Sequence, residues 1–231
     1  MLPTVTLVKQ LRPRFFEGLT PTEIASIIAP AARRSFPAQS VMSREGYAAN
    51  SFFMVLRGRA RGFCMTPQGD KVPVRWFPPG EIFGGAAMLP ESVDCLICTE
   101  AVTNITVLAW DRTTIRSLRA RYERLADNVA MIAYDYLVLY RSLHLAARCD
   151  TAPQRFALVL ANLATGIGRQ VDGGFELDVR NEELANEAGV TVFTASRLMS
   201  RWALEGIIAK GRGKIVVLSL AALYSLSGAV A

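Results

Sequence analysis

The residues with the clearest chemical capacity lie between Glu182 and Trp202: Thr191-Val192-Phe193-Thr194, then Ser196-Arg197, then Arg201 one turn further on. A guanidinium presents a fork of donors that fits the O6 and N7 acceptors of guanine. Hydroxyls reach phosphate oxygens, and apolar side chains meet the thymine methyl group. That chemistry requires all of these side chains to leave one rigid face. The sequence around them supplies it. Leu184, Ala185 and Ala188 form one short apolar helix face, and Gly189 breaks it as a residue tolerant of positive φ. Thr191 is placed to cap a second helix, whose buried face carries Ala195, Leu198, Met199 and Trp202. Val192, Phe193, Ser196 and Arg197 then point outward. Two short helices joined by a glycine turn make a helix-turn-helix, whose second helix enters the major groove of double-stranded DNA.

Downstream, Gly206-Ile207-Ile208-Ala209 and Ile215-Val216-Val217-Leu218 flank the basic run Lys210-Gly211-Arg212-Gly213-Lys214. Apolar β-branched runs around a glycine-bearing turn predict a β-hairpin, with Arg212 and Lys214 at a tip beside the second helix. The whole is a winged helix-turn-helix. Thr191, Thr194, Arg201, Arg212 and Lys214 are expected on the DNA backbone. Val192, Phe193, Ser196 and Arg197 are expected on base edges.

The net charge of +6 does not by itself argue for a DNA partner. Residues 150–231 hold eight basic and eight acidic side chains, so the excess lies wholly in residues 1–149. What matters is which face carries the bases. Hydrophobic residues make up 51% of the chain, yet no run approaches the roughly eighteen apolar residues of a membrane span. The N-terminus lacks the pattern of a signal peptide. A soluble, cytoplasmic protein with no membrane partner is expected. The four cysteines, Cys64, Cys95, Cys98 and Cys149, do not resemble a disulfide scaffold. Cys95 and Cys98 have CxxC spacing, but Cys95–Leu108 reads as extended chain, where positions three apart face opposite ways. Partly buried thiols acting as small hydrophobes are therefore expected rather than a zinc knuckle or a redox turn, and no metal site is expected.

Three segments must position these groups. Over residues 1–110, a helix opened by Thr20 and Pro21 and running to about Pro30 precedes short β-like runs at 52–56, 60–65, 71–77 and 105–108. Gly46, Gly58, Gly69 and Gly80 punctuate them, the texture of a β-roll or jelly roll. Over residues 111–149 the pattern turns helical. Leu118, Tyr122, Leu125, Val129, Ile132, Tyr136, Leu139 and Leu143 step by alternating four and three, a coiled-coil seam that predicts a two-fold homodimer. Met131, Leu137 and Val138 suggest a second apolar face turned to the chain's own β domain. Cys149–Pro153 interrupts the helix as a hinge, and residues 150–231 form the winged helix-turn-helix. The fold class is α+β: β-roll sensor domain, long dimerisation helix, DNA-binding domain.

This order of elements, with Pro79-Gly80-Glu81-Ile82-Phe83-Gly84 and the Ser196-Arg197 pair, resembles the CRP/FNR family of bacterial transcription regulators over nearly the whole chain. The resemblance implies an effector pocket near Phe83, Gly84, Gly85, Val93, Asp94, Tyr140 and Arg141, and RNA polymerase as a further partner. In members that bind cyclic AMP, a Glu holds the ribose and an Arg pairs with the phosphate. The matching positions here are Gly85 and Val93-Asp94, so little would compensate a phosphodiester and cyclic AMP is not expected. The N-terminal cysteine cluster of iron–sulfur members is missing, since no cysteine precedes Cys64. A haem cofactor stays open through His144, the sole histidine, although an interface or surface role suits it better. In CRP and FNR members the Arg matching Arg197 contacts guanine, while the Arg-Glu pair of CRP members is replaced by Val192-Phe193. The resemblance thus implies a half-site of TTG character. The run Gly189–Arg197 is also similar to regulators of nitrogen-oxide and microaerobic genes. The alternative is a cyclic-nucleotide or haem sensor without a direct DNA role. An enzyme is not expected: one histidine, no nucleophile–base arrangement and no phosphate-loop fingerprint leave catalysis few participants.

Overall fold

The computed structural model describes residues 4–211 and 213–228. The chain divides into two compact units, with the boundary between Leu137 and Val138. Helices α1 (Thr4–Leu11) and α2 (Pro21–Ile28) open the first unit. Thr20 caps α2 as the sequence predicts: its hydroxyl accepts from the Glu23 N–H, and the Glu23 carboxylate returns the bond to the Thr20 N–H. Strands follow: β1 (Ala32–Phe36), β2 (Val41–Ser43), β3 (Ser51–Arg57), β4 (Ala60–Met65), β5 (Lys71–Phe77), β6 (Ile82–Phe83), β7 (Cys98–Ala101) and β8 (Ile105–Asp111). They pair antiparallel into two four-stranded sheets ordered β1-β8-β3-β6 and β2-β7-β4-β5. One core lies between the sheets, around Phe53, Phe77, Phe83, Ile105 and Val107. The other lies beneath the helices, where Phe15, Phe16, Phe52 and Trp110 form an aromatic cluster.

Helix α3 (Arg112–Arg121) starts at an Asp111 cap, and α4 (Glu123–Cys149) follows after a break at Tyr122. Here the expected seam is corrected. Leu118 belongs to α3, and Leu118, Leu125 and Ile132 are buried in the chain's own helical core, with Tyr122, Val129 and Tyr136 packed against it. Asn128, on the same face, donates to the Phe15 and Glu17 carbonyls, 2.9 Å each. The predicted dimer seam is therefore the inward face up to Tyr136, while Leu139 and Leu143 are half-buried. Met131, Leu137 and Val138, the face expected to turn to the β domain, are exposed instead, and Tyr134 and Leu145 on the same helix are exposed with them. A heptad spacing specifies that a helix has an apolar stripe, not what covers it, and this helix carries two.

The second unit contains α5 (Ala152–Ile167), β9 (Arg169–Val171), β10 (Gly174–Leu177), α6 (Asn181–Ala188), α7 (Val192–Leu204), β11 (Ile208–Gly211), β12 (Lys214–Val217) and α8 (Leu220–Ser227). Its sheet runs β11-β12-β10-β9. Trp202 packs on Phe156 at the centre of this unit, their rings 5.6 Å apart, with Leu160, Leu184 and Leu223 also buried. Among the described residues, no helix is long and apolar enough to cross a membrane.

Candidate nucleic-acid interface

The turn between α6 and α7 is built by local chemistry. Gly189 sits at φ 60°, the left-handed conformation that closes a helix C-terminus, and the Val190 N–H reaches back to the Ala185 carbonyl at 2.9 Å. Arg155 of α5 pins the turn from beneath. Its guanidinium donates to the carbonyls of Ala188 (3.1 Å), Gly189 (3.3 Å) and Asp150 (2.8 Å). Thr191 then caps α7: its hydroxyl accepts from the Thr194 N–H at 3.1 Å and lies 3.0 Å from the Thr194 hydroxyl.

The buried face of α7 is the expected one, Ala195, Leu198, Met199 and Trp202. Opposite it, Val192, Phe193, Ser196 and Arg197 are exposed, Phe193 at 77%. The Phe193 ring stands one helical turn from Arg197 on the same face. Arg201 is held by Glu205 at 3.2 Å. The wing strands β11 and β12 form the predicted hairpin, with Gly211 opposite Lys214. Arg212 lies outside the described residues. The Lys214 ammonium is 3.1 Å from the Glu176 carboxylate, which also binds Arg169 at 2.7 Å. The Arg169 and Lys214 hydrogen bonds hold Glu176 below the usual carboxylate range. Lys214 is thus partly compensated within the chain.

Sequence reasoning missed Lys210. Its ammonium donates to the Ser200 hydroxyl at 2.8 Å, which in turn donates to the Ser196 carbonyl at 2.9 Å. This ties wing to helix and sets a second cation beside the exposed face. No local pattern signals it, because the contact joins a strand to a helix ten residues earlier.

The Phe83 ring, which the resemblance assigns to an effector pocket, lies in the inter-sheet core of the first unit. That ring is buried and stacks on Phe53 (4.8 Å) and Phe77 (5.2 Å). Ile97 fills the space over Gly62, where an added Cβ would lie 2.5 Å from its Cδ1. Gly84, at φ 77°, brings its backbone so near Ser51 that a Cβ would sit 2.3 Å from the carbonyl oxygen. Its role is that of a turn. Gly85 opens a short 3₁₀ turn, and Val93 and Asp94 pair with the backbone of Ala48 and Ala49. Tyr140 and Arg141 lie on the part of α4 that belongs to the second unit. In the first unit, the Arg75 guanidinium lies 3.4 Å from the Tyr136 ring and 3.1 Å from Glu81, whose carboxylate also accepts from the Tyr136 hydroxyl at 3.3 Å. His144 is exposed. Among the described residues, no group of three ligating side chains is arranged to hold a metal ion.

Residues 33–122 match the cyclic nucleotide-binding domain family, and residues 154–226 match the Crp-like helix-turn-helix domain family. The chain is 28% identical over 213 residues to the cyclic AMP receptor protein of Thermus thermophilus, covering 92% of this chain and 95% of that one. It is 25% identical over 182 residues to electron transport regulator A of Shewanella oneidensis, covering 76% and 70%. The solved structure of FixK2 from Bradyrhizobium japonicum superposes with a TM-score of 0.75 at 20% identity, covering 87% of this chain and 99% of that one. A cyclic nucleotide-binding-like β-roll followed by a Crp-like helix-turn-helix, in that order and over most of its length, places the chain in the CRP/FNR family of DNA-binding transcription regulators, which are not enzymes.

Proposed function

We propose that two copies of this chain bind an inverted repeat in double-stranded DNA, each inserting α7 into the major groove of a TTG-like half-site. The observation that carries this reading is the exposed face of α7, where Phe193 and Arg197 stand one turn apart beside the helix N-terminus. Among the described residues no ion-pair partner occupies the Arg197 guanidinium, so its fork is available for the O6 and N7 of guanine. Val192, Phe193 or Ser196 meets the flanking thymines. Thr191, Thr194, Arg201 and Lys214 hold phosphates and set register, with Arg212 assigned the same role from sequence. Lys210 joins them. Half-sites lie about one helical turn apart, as two-fold symmetry requires.

The pairing surface on α4 is its open stripe, Met131, Tyr134, Leu137, Val138 and Leu145, rather than the seam first read from sequence. Four of these, 131, 134, 138 and 145, keep heptad spacing on a single helix. RNA polymerase is the expected partner on the promoter. The likeness of Gly189–Arg197 to regulators of nitrogen-oxide and microaerobic genes supports that biological setting. A sensor without a DNA role is disfavoured by the Gly189 turn, the Thr191 cap and the paired β11 and β12 strands.

Competition binding on duplexes substituted one base pair at a time tests the base assignment. Arg197→Ala is expected to lower affinity and relax choice at the guanine, by about 1–3 kcal/mol of lost discrimination. Lys214→Ala is expected to weaken every sequence alike. An even loss across all bases for Arg197→Ala refutes the base-reading role.

A further inference from the structure

Three of the four free cysteines, Cys64, Cys95 and Cys98, gather in the first unit. Cys98 opens β7 opposite Phe63 of β4, the residue before Cys64, and Cys95 lies just before the bend that leads into β7. A fully extended chain would turn Cys95 and Cys98 to opposite faces. The chain is not extended there. It bends at Leu96 and Ile97 and becomes a strand only at Cys98. Along a strand, positions three apart are separated by about 10 Å. A disulfide needs Cα atoms about 4.4–6.8 Å apart, and a bend of two residues shortens the path in that direction.

Cys95 also lines a cavity of about 270 Å³ with Val41, Met42, Arg44, Tyr47 and Phe53, which gives a small oxidant a route to its sulfur. Of the two residues at the bend, Ile97 packs over Gly62 against the inter-sheet core, while Leu96 is 84% exposed and makes way for a change at the neighbouring sulfurs. The Glu45 N–H points at the Cys98 sulfur from 3.4 Å.

We propose that Cys95 and Cys98 are a redox-sensitive dithiol that a hydroperoxide converts into an intramolecular disulfide. In the first step the Cys95 sulfur attacks one peroxide oxygen. The O–O bond breaks, an alcohol (or water, from hydrogen peroxide) departs with the thiol proton, and Cys95 becomes a sulfenic acid. In the second step the Cys98 sulfur attacks the Cys95 sulfur, and its proton leaves with the sulfenic hydroxyl as water. The dithiol loses two electrons and the peroxide gains them. Burial first, then the neighbouring Asp94, raise the Cys95 thiol above its ordinary range. The first step is therefore slow at neutral pH, and the pair responds to sustained rather than trace peroxide. The disulfide would fix the segment whose backbone binds the cavity loop, through Gly46 N–H to Cys95 O (3.0 Å) and Cys95 N–H to Tyr47 O (2.8 Å).

Peptide mapping of the full-length protein tests this without any DNA readout, so it stands or falls apart from the proposed function. Trypsin leaves both cysteines on one peptide, 76–112, and Cys64 on another, 62–71. After hydrogen peroxide and then iodoacetamide under denaturing conditions, peptide 76–112 is expected to lose two hydrogens and to resist alkylation. Cys95→Ser or Cys98→Ser abolishes that species, and Cys64→Ser leaves it. The exposed Cys149 reports that the oxidant acted. Three outcomes overturn the proposal: two fully alkylated thiols on 76–112 beside an oxidised Cys149, a crosslink joining 76–112 to 62–71, or a Cys95 sulfinic acid with Cys98 still free.

Discussion

Leu125→Ala and Leu137→Ala, placed on the two apolar stripes of α4, separate folding from pairing. Leu125 is fully buried in the helical core of the first unit, so its truncation should destabilise that unit by about 2–5 kcal/mol and leave the pairing surface intact. Leu137 is 66% exposed, so truncating it should change the stability of one chain by well under about 1 kcal/mol. In a two-fold dimer, however, both copies lose the burial of that open two-thirds. Full burial of a leucine contributes about 1.5–3 kcal/mol, so the dimer loses about 2–4 kcal/mol. Its dissociation constant should rise between about thirtyfold and nearly a thousandfold. Sedimentation velocity over a concentration series reads the association, and thermal unfolding reads the fold. The reasoning is refuted if Leu125→Ala dissociates an otherwise stable dimer, or if Leu137→Ala leaves the sedimentation profile unchanged.

Thr191→Ala removes the acceptor of the Thr194 N–H and should cost about 0.5–2 kcal/mol, seen as an earlier urea transition reported by Trp202, while Trp110 in the first unit reports no change. For Glu100, burial raises the carboxyl's pKa, but hydrogen bonds and charge from Lys71 and Arg61 outweigh it and the net shift is downward. Its stabilising contribution is complete above the ordinary glutamate range and is lost as pH falls through the lowered value. The first unit should therefore melt earlier in acid, and Glu100→Gln should flatten that dependence while lowering stability at neutral pH. Tyr136→Phe keeps the ring under Arg75 but removes the hydroxyl bond to Glu81. It should destabilise by about 0.5–1.5 kcal/mol, whereas Arg75→Ala, which leaves Glu81 without its guanidinium, should cost more; an equal loss for the two variants in thermal unfolding would show that the guanidinium adds nothing beyond the hydroxyl bond.

The sequence alone determined the helix-turn-helix almost residue for residue, because everything that makes it is local. The Gly189 turn, the Thr191 cap and the alternation of buried and open positions on α7 all lie within one short stretch. Strands β4 and β5 were legible for the same reason, as short runs between glycines. What the sequence could not decide was which partner covers each surface. Both stripes of α4 satisfy a helical period, and only the aromatic cluster contributed by Phe15, Phe52 and Trp110 determines that the 125–132 stripe turns inward. The Arg75–Glu81–Tyr136 network joins residues as far as sixty-one positions apart, and the bend between Cys95 and Cys98 depends on a loop some fifty residues earlier. Periodicity and capping are properties of neighbouring residues. Coverage is a property of the closed chain, and only the tertiary structure decides it.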